Sequence, residues 1–262
     1  MICSVTKDSI KKIVDFCDKD SVFACEIYSS LKAFGTGCSW VYGGFDNNGE
    51  NAFCAVKTTV IGYIVYAQGL DDEKIQSLTE FFLFMPKKNI ISSKNVLEKL
   101  QNLFGGEIEE KLIMKSTAKK YFGKSNDHNP PVHPKRYDHM FEVLTKAFPE
   151  DCPREMRDDW IYTTSLKERK AGAKAVSIYE DEKCVSCGFL DCVNSHCGII
   201  ASLATDENYS KKGFGTRIIK SLILCDEMIN KNAYVVLLDN ELEKFYEKTG
   251  FITCEKYCIL KY

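Results

Sequence analysis

No stretch of this 262-residue chain is long and apolar enough to cross a bilayer as a helix. The longest segment without Asp, Glu, Lys or Arg is Cys192 to Thr205, fourteen residues, against the roughly 20 that a spanning helix needs. An excess of either charge is lacking too. Lys and Arg number 35 and Asp and Glu 37, a net charge of −2, and each half of the chain is close to neutral, which argues against a broad nucleic-acid footprint. Lys7 and Asp8 precede any apolar stretch at the start, so no secretory leader is expected. With 45% apolar residues the composition is not that of a disordered chain. A cytoplasmic enzyme or binding protein is the expectation that remains.

Proline is scarce, six in all, and Pro130, Pro131 and Pro134 fall in one polar run, Gly123 to Pro134. That run is the best candidate linker, leaving domains at 1–122 and 135–262. The thirteen cysteines are odd in number and scattered along a chain long enough to bury a core without staples, so reduced, packed thiols are expected.

Two halves of similar length invite a search for duplication. Asn95-Val-Leu-Glu-Lys-Leu-Gln-Asn-Leu-Phe-Gly105 aligns without gaps on Asn240-Glu-Leu-Glu-Lys-Phe-Tyr-Glu-Lys-Thr-Gly250, with Asn, Leu, Glu, Lys and Gly at common offsets. Each segment reads as a short helix stopped by Gly between two strands. Ile10, Ile13, Val14 and Cys17 form an apolar helical stripe, and Met140, Val143, Leu144 and Ala147 form its counterpart. The second half reads as two helices (137–148, 154–169), strands near 174–179, 184–193 and 198–205, a helix at 215–229, and a strand, helix and strand to the end. Two copies of one α/β unit, each with a mixed sheet and flanking helices, are expected.

The most informative segment is Ser202 to Leu224. A strand ends near Thr205, and Lys211 to Thr216 then supply two lysines and two glycines at the start of an apolar helix. Glycine lets backbone amides approach a ligand closely, and unpaired amides at a helix start suit phosphate oxygens. Downstream runs Asp239-Asn-Glu-Leu-Glu-Lys-Phe-Tyr-Glu-Lys-Thr-Gly-Phe. Together the two motifs resemble the GCN5-related N-acetyltransferases, whose acyl-CoA loop reads Arg/Gln-x-x-Gly-x-Gly/Ala and whose later helix ends Phe-Tyr-x-x-x-Gly-Phe. The resemblance covers most of the chain from Tyr137 and is strongest from Ile199 to Phe251.

It implies an α/β protein of two acyl-CoA N-acyltransferase-like domains with a mixed, mostly antiparallel sheet flanked by helices. It further implies acetyl-CoA as cosubstrate without a metal, and a primary amine on a small molecule or peptide as acceptor. Leu203, Ala204 and Thr205 fall on pantetheine-binding positions, and Lys211, Lys212, Gly213, Phe214, Gly215 and Thr216 on pyrophosphate-binding ones. Tyr246 falls on the tyrosine that protonates the departing thiolate. The alternative is a non-catalytic acyl-CoA sensor or scaffold. Two positions depart from the family pattern: Ser210 replaces the loop's first Arg/Gln, and Asp239, followed by Asn240, stands where Asn is common.

The first half lacks these features. Its strand Val60–Ala67 leads into Gln68-Gly-Leu-Asp-Asp-Glu-Lys, which puts three acids at the start of the next helix. Gln101, whose amide is no acid, takes the tyrosine position, so this copy is expected to be degenerate. Cys184 and Cys187, read as lying on one strand at odd spacing, should face opposite sides and so share no zinc. The four histidines carry no motif. Glu150, Asp151, Glu155, Asp158 and Asp159 read as a solvated helix start, or as an attraction for a cationic acceptor.

Overall fold

The computed structural model describes residues 2–37, 40–116, 130–237 and 239–262; residues 123–129 of the expected linker lie outside these. The first half forms β1 (Ile2–Ser4), α1 (Ile10–Cys17), α2 (Val22–Phe34), β2 (Val41–Phe45), β3 (Ala52–Thr58), β4 (Gly62–Ala67), α3 (Asp72–Phe84), β5 (Asn89–Ser92), α4 (Lys94–Phe104) and β6 (Glu107–Ser116). The second forms α5 (Tyr137–Ala147), α6 (Arg157–Ala171), β7 (Lys174–Glu180), β8 (Lys183–Val193), β9 (Cys197–Thr205), α7 (Phe214–Ile223), β10 (Asn232–Leu237), α8 (Glu243–Lys248) and β11 (Phe251–Lys261).

From its first helix onward the first half runs α, α, β, β, β, α, β, α, β, and the second half repeats that order. Strand directions repeat with it. β2–β3–β4 and β7–β8–β9 are antiparallel meanders, and each last strand then pairs in parallel across a helical crossover, with β5 and β10 respectively.

Two compact units emerge: Met1–Met114 with Val236–Leu242 and Thr253–Tyr262, and Lys115–Val235 with Glu243–Ile252. The first therefore holds most of the last strand of the chain. Its sheet runs β1-β2-β3-β4-β5-β11-β6, and β11 pairs with β5 antiparallel through Cys258↔Ser92, Ile259↔Ile91 and Leu260↔Ile90. Lys261 bridges Glu109 of β6 at 2.7 Å. Cys258 and Leu260, both fully buried, join Val65, Ile90 and Leu97 in one apolar core.

The second unit's sheet runs β10-β9-β8-β7. β8 is buried from Cys184 to Leu190, because helices cover both faces and an unbroken apolar run then replaces alternation. Cys187, Phe189 and Ala204 pack with Met140, Val143 and Leu144 of α5. Gly188, pointing the other way, faces α7 so closely that a Cβ there would lie 2.3 Å from Ile218 Cγ2.

Three local expectations change. A bulge opposite Ile178 and Tyr179 lets β8 accommodate Val185 as an extra residue, so Cys184 and Cys187 join the same core cluster instead of facing opposite sides. α7 ends at Ile223, short of 229, and the chain turns through Asp226–Met228 to bring buried Met228 against Gly198. Val60, expected in a strand, instead forms an exposed turn with Ile61 before β4, closed by the Thr59 amide on the Gly62 carbonyl.

Candidate active site

The site builds from a strand that loses its neighbour. β9 pairs in parallel with β10 only through Cys197, Gly198 and Ile199. Beyond Ile199 its edge on that side has no strand partner among the described residues of this unit. On the other side β9 stays paired with β8, but with a register shift: Cys187 opposes Ala204 and Phe189 opposes Ala201. Ser202 within this bulge takes a left-handed φ of 53°. The extra residue twists the end of the strand and re-aims the side chains beyond it. Leu203 is turned toward Gly188 and α7, Ala204 is buried toward α5, and the Thr205 hydroxyl bonds that of Ser186 at 2.8 Å.

After β9 comes the turn Glu207–Tyr209. Lys211 and Gly213 both adopt left-handed φ, 60° and 81°, with Lys212 between them outside that region. Such alternation turns successive amides toward one side and forms an anion-binding concavity. Among the described hydrogen bonds none is donated by the amides of Lys211 to Thr216, and the first helical amide that bonds within the protein is that of Arg217, to the Gly213 carbonyl. The helix dipole adds its positive end at this turn. Lys211 and Lys212 are exposed, and the Lys212 ammonium lies 4.8 Å from the Tyr209 ring centre.

The end of β9, the first turn of α7, and α8 converge. A Cβ built on Gly215 would stand 3.3 Å from Phe245 Cζ and 3.9 Å from Thr205 Oγ1. Next to Phe245, Tyr246 is buried, its ring edge-on to Phe245 at 5.1 Å and to Phe251 at 5.5 Å. Burial pushes its phenol up to about 12, and its hydroxyl has no hydrogen-bond partner among the described residues. The ten residues singled out from the sequence thus fall on the end of β9, the turn into α7 and its first residues, and α8. Ser210 is exposed and leaves the row of free amides unbroken.

Asp206 follows β9 directly and is buried. The Lys183 ammonium, 2.8 Å away, together with bonds from the Asn208 amide and side chain, holds its carboxyl below the usual range. It is therefore an ill-suited proton acceptor and a structural anchor for the turn. The acids Glu150, Asp151, Glu155, Asp158 and Asp159 are exposed, and Asp158 pairs with Arg157 at 2.9 Å.

The first unit lacks both devices. β3 and β4 pair in unbroken register from Cys54↔Ala67 to Thr58↔Tyr63, and α3 is capped by its own carboxylate, Asp71, which accepts from the Lys74 amide. The bulge at Ser202 and the left-handed Lys211 carry no sequence signal, since neither is a glycine. The paired glycines and the Phe-Tyr helix are the sequence signals that single out this candidate site.

Residues 137–251 match the sequence profile of the Acetyltransferase (GNAT) family. An acetyltransferase from the GNAT family of Colwellia psychrerythraea superposes with a TM-score of 0.66 at 11% identity, covering 100% of this chain and 99% of that one. A GCN5-related N-acetyltransferase from Sphaerobacter thermophilus gives 0.58 at 11% identity, over 99% and 94%. One from Kribbella flavida gives 0.56 at 9%, over 80% and 86%. At these identities the likeness is one of fold, and its span extends that fold to the first half. No curated protein matches the chain in sequence.

Proposed function

Residues 137–251 belong to the Acetyltransferase (GNAT) family, and we propose that the second unit transfers acetyl from acetyl-CoA to a primary amine of a small molecule or peptide. The observation that carries the reading is the run of six amides at Lys211–Thr216 that have no partner among the described residues, beside the strand edge freed beyond Ile199. These residues fit the cosubstrate. The amides and the two lysines suit phosphate oxygens, and the edge at Leu203, Ala204 and Thr205 suits an amide-bearing arm that adds like a strand.

Bound there, acetyl-CoA supplies an activated thioester carbonyl. Lys211, Lys212, Gly213, Phe214, Gly215 and Thr216 hold the pyrophosphate, and β9 orients the arm so that the amine meets the carbonyl at a fixed geometry. A strand amide near Leu203 faces the developing oxyanion. Tyr246, kept protonated by its burial, donates the phenolic proton to the leaving sulfur.

Calorimetry with acetyl-CoA on the wild type and on Gly213→Val tests the cradle. The wild type binds, and the variant, forced out of its left-handed φ, binds at least about tenfold more weakly. No binding by the wild type, or equal binding by both, overturns the assignment. An amine panel read by thiol release then separates a transferase from a sensor, which binds without turnover.

A further inference from the structure

The first unit contains a pocket that the acyl-CoA reading does not use. It measures about 270 Å³ and is lined by Lys19, Asp20, Ser21, Phe23, Tyr66, Ala67, Gln68, Ser93 and Glu255. Of these, Glu255 comes from β11, the strand that the end of the chain contributes to this unit. It is exposed, and its carboxylate has no hydrogen bond or ion pair among the described residues. The protein packed around it raises its proton affinity. A partly desolvated carboxylate without a partner favours any positive group that joins it.

The rest of the lining suits such a guest. The Tyr66 hydroxyl accepts from the Gln68 side-chain amide, which leaves the Gln68 carbonyl oxygen as a further acceptor. Phe23 also lines it, buried and stacked on Tyr257 at 5.4 Å. Asp20 and Lys19 are both exposed. Ligand pockets usually run from about 300 Å³ upward, so this one takes a molecule of a few heavy atoms and excludes a peptide.

We propose that this pocket binds a small primary ammonium ion, held by Glu255 and Gln68, as a ligand site of the first unit separate from acyl transfer. The proposal does not rest on the acyl-CoA reading.

The test is amide-resolved NMR of the full chain titrated with n-butylammonium, with butyrate as the matched anion. Butylammonium shifts the Ala67, Gln68 and Ser93 resonances saturably, and butyrate does not. Glu255→Gln weakens the binding about tenfold or more, as expected for loss of a charge-assisted hydrogen bond. Because Glu255 has no partner to lose among the described residues, that variant keeps the wild-type spectrum elsewhere. Tyr66→Phe, which keeps the charge, weakens binding less. Resonances that stay unmoved up to about 50 mM, a Glu255→Gln affinity equal to the wild type's, or equal binding of butyrate overturns the proposal. Acetyl-CoA binding is read separately on the same samples, so each reading fails independently of the other.

Discussion

Asp71 Oδ1 accepts a hydrogen bond from the Lys74 amide at 3.0 Å, and its Oδ2 accepts one from the Lys74 ammonium at 2.8 Å. The carboxylate caps α3 at the point where Gly213, with no side chain, opens α7. One copy of the fold thus satisfies its helix dipole internally, and the other leaves its first amides without a protein partner.

Replacing Asp71 with Ala lowers the melting temperature at neutral pH, and the loss shrinks on acidification. Bonds from Lys74 hold the Asp71 carboxyl below its ordinary value. Its contribution is therefore present above the unfolded pKa of about 4 and is lost as pH falls through the lower folded one. Melting curves of both proteins across the acid range check this; a gap that is the same at both ends would exclude the cap as its source.

Tyr246→Phe separates proton donation from binding. Turnover falls by about 10²–10⁴, the usual worth of a positioned acid, while acetyl-CoA affinity is unchanged. In an ultraviolet phenolate titration the component with a midpoint near 12, to which Tyr66 also contributes, shrinks by one tyrosine in the variant. Because the folded value lies above the ordinary one of about 10, stability from this group is complete below that pH and is lost as pH rises toward the folded value. Unchanged turnover in the variant would remove Tyr246 from the mechanism.

Gly188 and Gly213 are glycines for different reasons, and alanine at each separates them. At Gly188 the new carbon meets Ile218 at 2.3 Å, and overpacking of this kind costs about 1–3 kcal/mol. At Gly213 it meets nothing within 4 Å, and the left-handed φ alone costs about 1–2 kcal/mol. Denaturant unfolding gives both values. Acetyl-CoA affinity should respond at Gly213 far more than its stability does, and at Gly188 only through stability.

Leu260→Ala empties a fully buried position on β11 and should cost about 2–5 kcal/mol. The effect belongs to the first unit, although the residue comes from the last few of the chain. Hydrogen exchange should quicken at Ile90 and Ile91 of β5, which pair with Leu260 and Ile259, ahead of β8. Equal acceleration in β8 would contradict that placement.

Much of this architecture was legible along the chain. The stripe from Ile10 to Cys17, its counterpart from Met140, and the glycines after both matched helices depend on spacing and on single-residue conformational freedom, which are local properties. They were enough to expect a duplicated α/β unit and to single out the turn at Gly213 and Gly215 as a candidate phosphate site. The acids at Asp71, Asp72 and Glu73 were likewise enough to separate the two copies.

Other features needed the tertiary structure. The bulge at Ser202 is set by how β9 must pair with β8, and the bulge near Val185 returned Cys184 and Cys187 to one face against a correct count of alternation. The place of β11 between β5 and β6 depends on which sheet offers Cys258 and Leu260 a core, a comparison among distant segments that no window of sequence contains. For the same reason Glu255 reads as one more acid in the last strand, until that pairing sets it, unpartnered, beside Tyr66 and Gln68.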